Sequence, residues 1–216
     1  MIEVVLTWGV CEADRPWADQ LARFWTLNMT SSQQKVSLAS GFRVKVLTSQ
    51  QIIAQLNASW IWVPKWVDSS TENTAGRVVT FIRELQLPSK PKEGVFHLSA
   101  DTRYKLFIND QRVAVGPSRG SPYLWYHDTI DIAVHLQEGH NEIRVEVLRY
   151  FAANRAAMPF DRTSFPGLTI HGTIAVDGET LEINSGEVGQ WRAQVHNEIT
   201  FPTGIIDDGF LHVQSN

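Results

Sequence analysis

Cysteine is nearly absent from the sequence: Cys11 is the only one in 216 residues, so no disulfide bond can form within the chain. Cys11 directly follows the apolar stretch Val4–Val10 and belongs to no nucleophile or metal-binding motif. This position favours a small buried apolar side chain over a reactive thiol. We therefore expect the fold to be held together by packing alone.

Basic segments and long apolar runs are also lacking. Nineteen lysines and arginines stand against 23 aspartates and glutamates, which gives a net charge of −4 with no dense basic window. No stretch approaches the roughly 18 uninterrupted apolar residues of a membrane-spanning helix. A chain that is 43% hydrophobic, with 14 glycines and 9 prolines, has a globular composition. We expect one large domain, or one with an appendage, and no nucleic-acid or membrane partner.

A signal for secretion is missing at the N-terminus. The apolar stretch Val4–Val10 is preceded by one charge only, that of Glu3, whereas a signal peptide begins with a positive segment. The sequence therefore favours a cytoplasmic location over a secreted one.

Known catalytic and metal-binding motifs are absent as well. There is no glycine-rich phosphate loop and no serine in a nucleophile elbow. The histidines closest in sequence within the predicted strand region, His135 and His140, lie five residues apart without a nearby cysteine, so solvated surface side chains explain them better than a zinc site. We predict no metal site and no cofactor; Ca²⁺ is an alternative that the sequence does not support.

Three aspartates near predicted strand ends could supply the paired carboxylates of glycoside hydrolysis: Asp101, Asp128 and Asp131. Each has a structural alternative, because an aspartate at the junction of a strand and a loop commonly accepts N–H bonds from the turn. We assign no catalytic residue.

Tryptophan is the residue present in excess, with eight copies, at positions 8, 17, 25, 60, 62, 66, 125 and 191. Its large flat face and single N–H donor suit the core of a β-sandwich and also a platform on which a sugar stacks. Composition does not choose between these two uses.

The hydrophobic pattern divides the chain near residue 57. Helical spacing predicts a helix over residues 14–29, alternation predicts a strand over 42–46, and Ser49 is predicted to cap a second helix that runs through Leu56. Residues 1–57 are therefore interpreted as a small α/β appendage of unassigned role.

After residue 77 the pattern changes to a period of two, with turn signals at Asn109-Asp110 and Asp177-Gly178. Eight or nine strands spaced about ten residues apart are typical of an antiparallel β-sandwich or jelly roll. We predict such a module over residues 58–200 and a linker-like tail over 201–216. Strands are predicted at 79–87, 96–100, 104–108, 112–115, 130–134, 143–147, 168–176, 180–183 and 191–195, with irregular stretches at 116–126 and 152–166.

Several segments together resemble a known family. They are Ala-Ser-Trp-Ile-Trp at 58–62, Phe-Ile-Arg-Glu-Leu-Gln-Leu at 81–87, Leu-Ser-Ala-Asp-Thr-Arg-Tyr at 98–104, Gly-Pro-Ser-Arg-Gly at 116–120, Trp-Tyr-His-Asp-Thr-Ile-Asp at 125–131 and Leu-Gln-Glu-Gly-His-Asn-Glu-Ile at 136–143. The set resembles the N-terminal β-sandwich module of bacterial and fungal α-L-rhamnosidases, a galactose-binding-like jelly roll. Its looser elements are also similar to sugar-binding domains of β-galactosidase-type glycosidases.

The resemblance implies that the β-sandwich module and the catalytic site belong to separate domains. In this family catalysis resides in a separate α-helical barrel that carries two acidic residues and follows the module, and such a barrel is longer than this whole chain. The resemblance therefore implies a non-catalytic carbohydrate-binding or accessory module whose partner, the catalytic barrel, is missing here. Two alternatives stay open: a fragment of an active α-L-rhamnosidase, and a structural or interaction sandwich that binds no sugar.

The aromatic loop at 116–126 supplies the candidate sugar site. Aromatic faces would stack on a rhamnoside or galactoside while Arg119 and Asp128 bond its hydroxyl groups. In the alternative interpretation, Trp125 and Tyr126 close the sandwich and Asp128 anchors the loop. The candidate binding residues are Arg119, Tyr123, Trp125, Tyr126 and Asp128.

Overall fold

The computed structural model describes residues 2–5, 47–64, 77–118, 120, 125–150, 167–200 and 214–215, the first and last of these ranges by their backbone. Within these residues two five-stranded sheets and one helix account for most of the structure. The elements are β1 (Ile2–Val5), α1 (Ser49–Ala58), β2 (Arg77–Leu87), β3 (Glu93–Asp101), β4 (Arg103–Ile108), β5 (Gln111–Gly116), β6 (Trp125–Asp131), a 3₁₀ turn (Ala133–His135), β7 (Gly139–Arg149), β8 (Gly167–Val176), β9 (Glu179–Asn184), β10 (Arg192–Val195), β11 (Ile199–Thr200) and β12 (Gln214–Ser215).

Sheet A has the strand order β1-β6-β3-β8-β9, and sheet B has the order β10-β2-β7-β4-β5. All neighbouring strands run antiparallel. Strands β11 and β12 pair with each other as a separate ribbon. The predicted antiparallel β-sandwich is confirmed.

The core lies between the sheets because alternate residues of each strand point inward. On β2 and β7, which pair over eleven positions, the inward side chains include Val79, Phe81, Val145 and Val147, each at most 1% exposed. A fully buried side chain of this kind contributes about 1.5–3 kcal/mol to stability. The period-two pattern in the sequence thus corresponds to the face that builds the core.

Two tight turns form where the sequence predicts them. Asn109 and Asp110 join β4 to β5 with φ of 50° and 61°, and Asp177 and Gly178 join β8 to β9 with φ of 50° and 86°. Positive φ at both central residues is the condition for the two-residue turn that matches the twist of a hairpin. Asn, Asp and Gly tolerate this conformation, and the predicted hairpins are confirmed.

One strand ends earlier than predicted. The alternation over 130–134 predicts a strand, but β6 ends at Asp131 and a 3₁₀ turn follows. The Asp131 carboxylate accepts the N–H of Ala133 at 3.0 Å, so it starts the turn instead of continuing the ladder. Ile132 still reaches the core, whereas Val134 is 70% exposed.

Helix α1 has a different cap from the predicted one. Thr48, not Ser49, occupies the N-cap position: its side chain accepts the N–H of Gln51, whose own side chain accepts the N–H of Thr48. This reciprocal pair is a capping box. The helix then buries Ile52 and Leu56 against the outer face of sheet A.

The chain divides into two compact units, one of Met1–Thr7 with Val44–Asn216 and one of Trp8–Arg43. Helix α1 therefore belongs to the same unit as the strands, although the sequence pattern places it in the appendage. The predicted helix at 14–29, the strand at 42–46, the irregular stretch at 152–166 and most of the tail lie outside the described residues. No helix in the described ranges is long and apolar enough to span a membrane.

Candidate functional site

The predicted sugar-binding residues converge on one end of the sandwich, where β5 ends and β6 begins. We call this place the β5–β6 corner and define it by Tyr104, Gly116, Tyr126 and Asp128. Arg119 and Tyr123 lie outside the described residues, so their placement stays a prediction. Trp125, Tyr126 and Asp128 belong to β6 and not to an irregular loop, because the ladder with β1 begins at Trp125.

Trp125 does not form a sugar platform in this structure. Its side chain is 3% exposed and packs with Ile52 and Leu56 of helix α1. The indole N–H donates to the carbonyl of Ala100 at 3.2 Å, which satisfies its one donor. Trp125 therefore helps to close the outer face of sheet A, and its role in a sugar site stays a prediction that this burial does not support.

Asp128 lies on the opposite face of β6 and bridges the two sheets. The hydroxyl of Tyr104, on β4 of sheet B, donates to Asp128 Oδ2 at 2.5 Å. Burial, followed by this hydrogen bond to Asp128, raises the pKa of Tyr104 well above its ordinary value. Tyr104 therefore stays protonated and acts as the donor.

One oxygen of Asp128 remains open. Among the described residues no group donates to Oδ1 of this half-buried side chain. Gly116 makes room for the arrangement, since a Cβ at this position would overlap Asp128 Oδ2 and come within 2.8 Å of the Tyr104 ring. Within the described residues, the corner thus holds a carboxylate whose Oδ2 is fixed by Tyr104 and whose Oδ1 accepts no hydrogen bond.

Tyr126 supplies an aromatic ring beside this carboxylate. It stands two residues before Asp128 on the same side of β6 and is half-buried. Its backbone is held by the hydroxyl of Ser99, which donates to the Tyr126 carbonyl at 2.7 Å. Arg103 fixes the start of the connection between β5 and β6 by donating to the carbonyl of Pro117 at 2.6 Å.

The other two candidate aspartates have structural roles. Asp101 is fully buried, forms an ion pair with Arg149 at 3.1 Å and accepts the hydroxyl of Thr102 at 3.0 Å. Asp131 starts the 3₁₀ turn. A carboxylate that is sealed from solvent and neutralised by a buried arginine cannot exchange a proton with a substrate.

The histidines that the sequence brings closest have separate surroundings. His135 shares a hydrogen bond with Gln111 at 3.1 Å, and His140 lies 3.9 Å from Glu84. Across the described ranges, no three histidine, cysteine, aspartate or glutamate side chains lie together as a metal-binding group. The expectation of no metal stays a prediction for the whole chain.

Tyr104 and Gly116 are corner residues that sequence reasoning missed. A signal existed for each of them. Tyr104 shares the inward side of β4 with the core residues Leu106 and Ile108, and a tyrosine at an inward position needs a partner for its hydroxyl. Gly116 ends a strand directly before Pro117, where a small residue indicates close approach of another group. Neither signal identifies Asp128 as the partner, because the contact joins two sheets.

Comparison with known proteins gives a match by structure. No family model matches the chain, and a search of curated proteins finds no relative. An α-L-rhamnosidase from Dictyoglumus thermophilum superposes with a TM-score of 0.51 at 18% identity over 68% of this chain, and one from Aspergillus terreus with 0.51 at 20% identity over 67%. A GH78-family rhamnosidase of Bacillus sp. GL1 matches over 66% with 28% identity and a TM-score of 0.49.

The chain shares its fold with a module of α-L-rhamnosidases. The resemblance inferred from the sequence motifs is thereby confirmed at the level of fold. The match spans 14–17% of the length of these enzymes. At 18% and 20% identity it establishes the fold and assigns no activity to this chain.

Proposed function

We propose that this protein is a non-catalytic carbohydrate-binding or accessory module that holds rhamnosides or galactosides at the β5–β6 corner. It resembles the N-terminal domain of an α-L-rhamnosidase, and its proposed partner is the catalytic barrel that such a module accompanies. The shared fold supports the class of module, and the corner supports the site.

The observation that carries the proposal is the placement of Asp128 and Tyr126 on the same side of β6, two residues apart. A carboxylate oxygen accepts sugar hydroxyl groups, and a neighbouring aromatic ring covers the apolar face of the sugar. Tyr104 occupies the other oxygen, so the carboxylate is oriented before a ligand arrives and loses little freedom on binding. A fixed acceptor beside a partly open ring is the chemistry that sugar recognition needs.

The same geometry speaks against hydrolysis by the described residues. Hydrolysis of a glycoside requires two carboxylates on either side of the bond, about 5–10 Å apart. In the described part of the corner, Asp128 is the one carboxylate with an open oxygen, since Asp101 is buried against Arg149. The described residues of the corner therefore offer an acceptor for a sugar hydroxyl and, among themselves, no second carboxylate to act as acid or base.

Calorimetric titration with methyl α-L-rhamnoside and methyl β-D-galactoside tests the proposal. Asp128→Asn keeps the size and the bond to Tyr104 but removes the charge. We expect it to weaken binding about tenfold or more, because a hydrogen bond to a charged group contributes about 1.5–3 kcal/mol. Tyr126→Ala should weaken binding by a similar factor.

The matched control is Asp110→Asn, which removes the same charge at the opposite end of the β4–β5 hairpin, where the side chain is 92% exposed. This variant should bind like the wild type. Absence of heat from the wild-type protein at millimolar sugar would eliminate the binding proposal. Turnover of an aryl rhamnoside that is lost in Asp128→Asn would establish the enzyme alternative instead.

A further inference from the structure

A row of four polar side chains crosses the outer face of sheet A. Thr129, His97, His171 and Asn184 are direct neighbours on β6, β3, β8 and β9, in register across all four strands. His97 shares a hydrogen bond with Thr129 at 3.1 Å, and His171 donates to Asn184 at 2.5 Å. The two imidazoles stack with 6.4 Å between their centroids and 10° between their planes. We call this row the histidine ladder.

A third imidazole adjoins the ladder. His127 is fully buried on β6 and presents its ring to His97 edge-on, with centroids 5.7 Å apart and planes at 74°. His171 is 2% exposed, and no described residue hydrogen-bonds its buried Nε2. Three imidazoles thus lie together on this face of the sheet, those of His127 and His171 buried and that of His97 half-buried.

The ladder adjoins the seat of helix α1. On each of the three strands, the residue two positions from a histidine lies at the helix: Trp125 packs against it, and the hydroxyl of Thr169 donates to the carbonyl of Leu56 at 2.6 Å. Ser99, the corresponding residue of β3, is fully buried between them and in register with Thr169. Water that entered the ladder would therefore lie only two residues along each strand from the contacts between helix α1 and sheet A.

The surroundings of His97 disfavour its protonated form. Burial, followed by the charges that His127 and His171 would carry, lowers the pKa of His97 to about 4. Helix α1 brings no charged side chain. Among the described residues, the remaining titratable groups on this face are Glu93, Asp131 and Glu182 beyond the ladder and Asp101 in its ion pair with Arg149. On β1, the backbone of Glu3 is in register with His127.

We propose that the histidine ladder is an acid-sensitive latch: proton uptake by its imidazoles opens the outer face of sheet A and releases helix α1, while sheet B stays folded. Adding a charge to a buried patch that already holds two further imidazoles brings desolvation and like-charge repulsion together. Opening the face to water relieves both. Sheet B carries no such row on its outer face within the described residues, where charged side chains meet solvent.

The direction of the effect follows from proton linkage. An imidazole in the open chain binds a proton near pH 6.5, whereas His97 in the closed face binds one near pH 4. The open form therefore holds more protons between these values, and the closed form is lost as the pH falls through this window. One linked proton changes the opening equilibrium by up to about tenfold per pH unit.

Hydrogen exchange measured by mass spectrometry at about pH 7 and about pH 5 tests the latch in the intact chain. After correction for the intrinsic exchange rate, we expect protection at acid pH to fall in α1, β3, β6 and β8 and to persist in β2, β4 and β7. His97→Gln keeps a polar side chain beside Thr129 and removes the titrating group. It should reduce the acid loss of protection by several-fold.

The matched control is His140→Gln, on the outer face of sheet B, where the imidazole is 64% exposed. It should leave the acid opening unchanged. An NMR titration of the wild-type imidazole protons provides a second measurement that requires no variant, and one ring should titrate near pH 4. Equal loss of protection in both sheets, or equal acid opening in His97→Gln and wild type, would overturn the proposal, as would titration of all rings near pH 6.5.

Discussion

The outer faces of the two sheets differ although both follow the same alternation. On sheet B, Arg144 contacts Glu142, Glu146 and Asp110 through ion pairs of 3.5, 2.7 and 3.3 Å, and its guanidinium lies 4.2 Å from the ring centroid of Phe107. On sheet A, the outward side chains nearest helix α1 are mostly neutral and buried: Trp125, His127, Ser99, Thr169 and His171. The outer face of sheet B is therefore charged and open, whereas the part of the outer face of sheet A next to helix α1 is mostly neutral and covered.

This difference shows that alternation and residue chemistry carry separate information. Alternation tells which side of a strand faces the core. The kind of polar residue on the other side tells whether that side is covered, because hydroxyl and neutral imidazole groups can be buried with one or two hydrogen bonds, whereas ions need a partner. Strand β8, with Thr169 and His171 facing outward, is a strand buried on both sides.

Breaking a buried ion pair should have the largest effect. Asp101→Ala removes the partner of Arg149 in a site where both side chains are 0% exposed. We expect the free energy of unfolding to fall by about 3–5 kcal/mol, since the buried guanidinium of Arg149 loses its ion pair with Asp101 in a site closed to water. Urea unfolding followed by tryptophan fluorescence measures the change.

The matched comparison is Glu146→Ala on the open face of sheet B. Its ion pairs with Arg144 and Lys105 are partly exposed, and its loss should cost about 1 kcal/mol or less. If both variants lose the same free energy of unfolding, the burial of an ion pair has no influence on its contribution to stability, and the comparison fails.

Removing the cover of sheet A should have the next largest effect. Leu56→Ala deletes a fully buried side chain of helix α1 and should destabilise the protein by about 3 kcal/mol through lost burial and the cavity left behind. Gln55→Ala, at an exposed position of the same helix, should be neutral in the same thermal unfolding experiment. A neutral Leu56→Ala would mean that α1 does not cover the sheet.

Neutralising the open face should have the smallest effect. Arg144→Met removes the centre of the charged network on sheet B and should cost about 0.5–1 kcal/mol at low salt. The difference from wild type should shrink in about 1 M salt, because salt screens exposed charges. Unfolding curves at the two salt concentrations give the free energy of unfolding in each. If Arg144→Met lowers it by more than about 2 kcal/mol at both concentrations, the outer face of sheet B is not open to solvent.

The strands of the sandwich were predictable because their signals are local. The alternation in β2, β7 and β8 and the turns at Asn109-Asp110 and Asp177-Gly178 each lie within one short window. Helix α1 was predictable for the same reason, apart from its cap at Thr48. The strand prediction failed beyond Asp131, where a side chain competes for the backbone N–H of Ala133.

The site was predictable only in part because its contacts join distant segments. Trp125 and Tyr126 are adjacent in sequence, yet they face opposite sides of β6, so one is covered by α1 and the other borders the corner. The partnership of Tyr104 with Asp128 depends on how the two sheets stack. His97 and His171 are 74 positions apart and meet only through the register of β3 and β8.

The central claim is that the β5–β6 corner binds a sugar, and an NMR titration of backbone amides with methyl α-L-rhamnoside and methyl β-D-galactoside tests it most directly. We predict that at least one of these sugars shifts the amide signals of Gly116, Tyr126 and Asp128 together with increasing concentration, while those of Asn109 and Asp110 at the far turn stay unchanged. If neither sugar shifts any signal at millimolar concentration, or if the shifts are confined to the far turn, the account of the corner is contradicted.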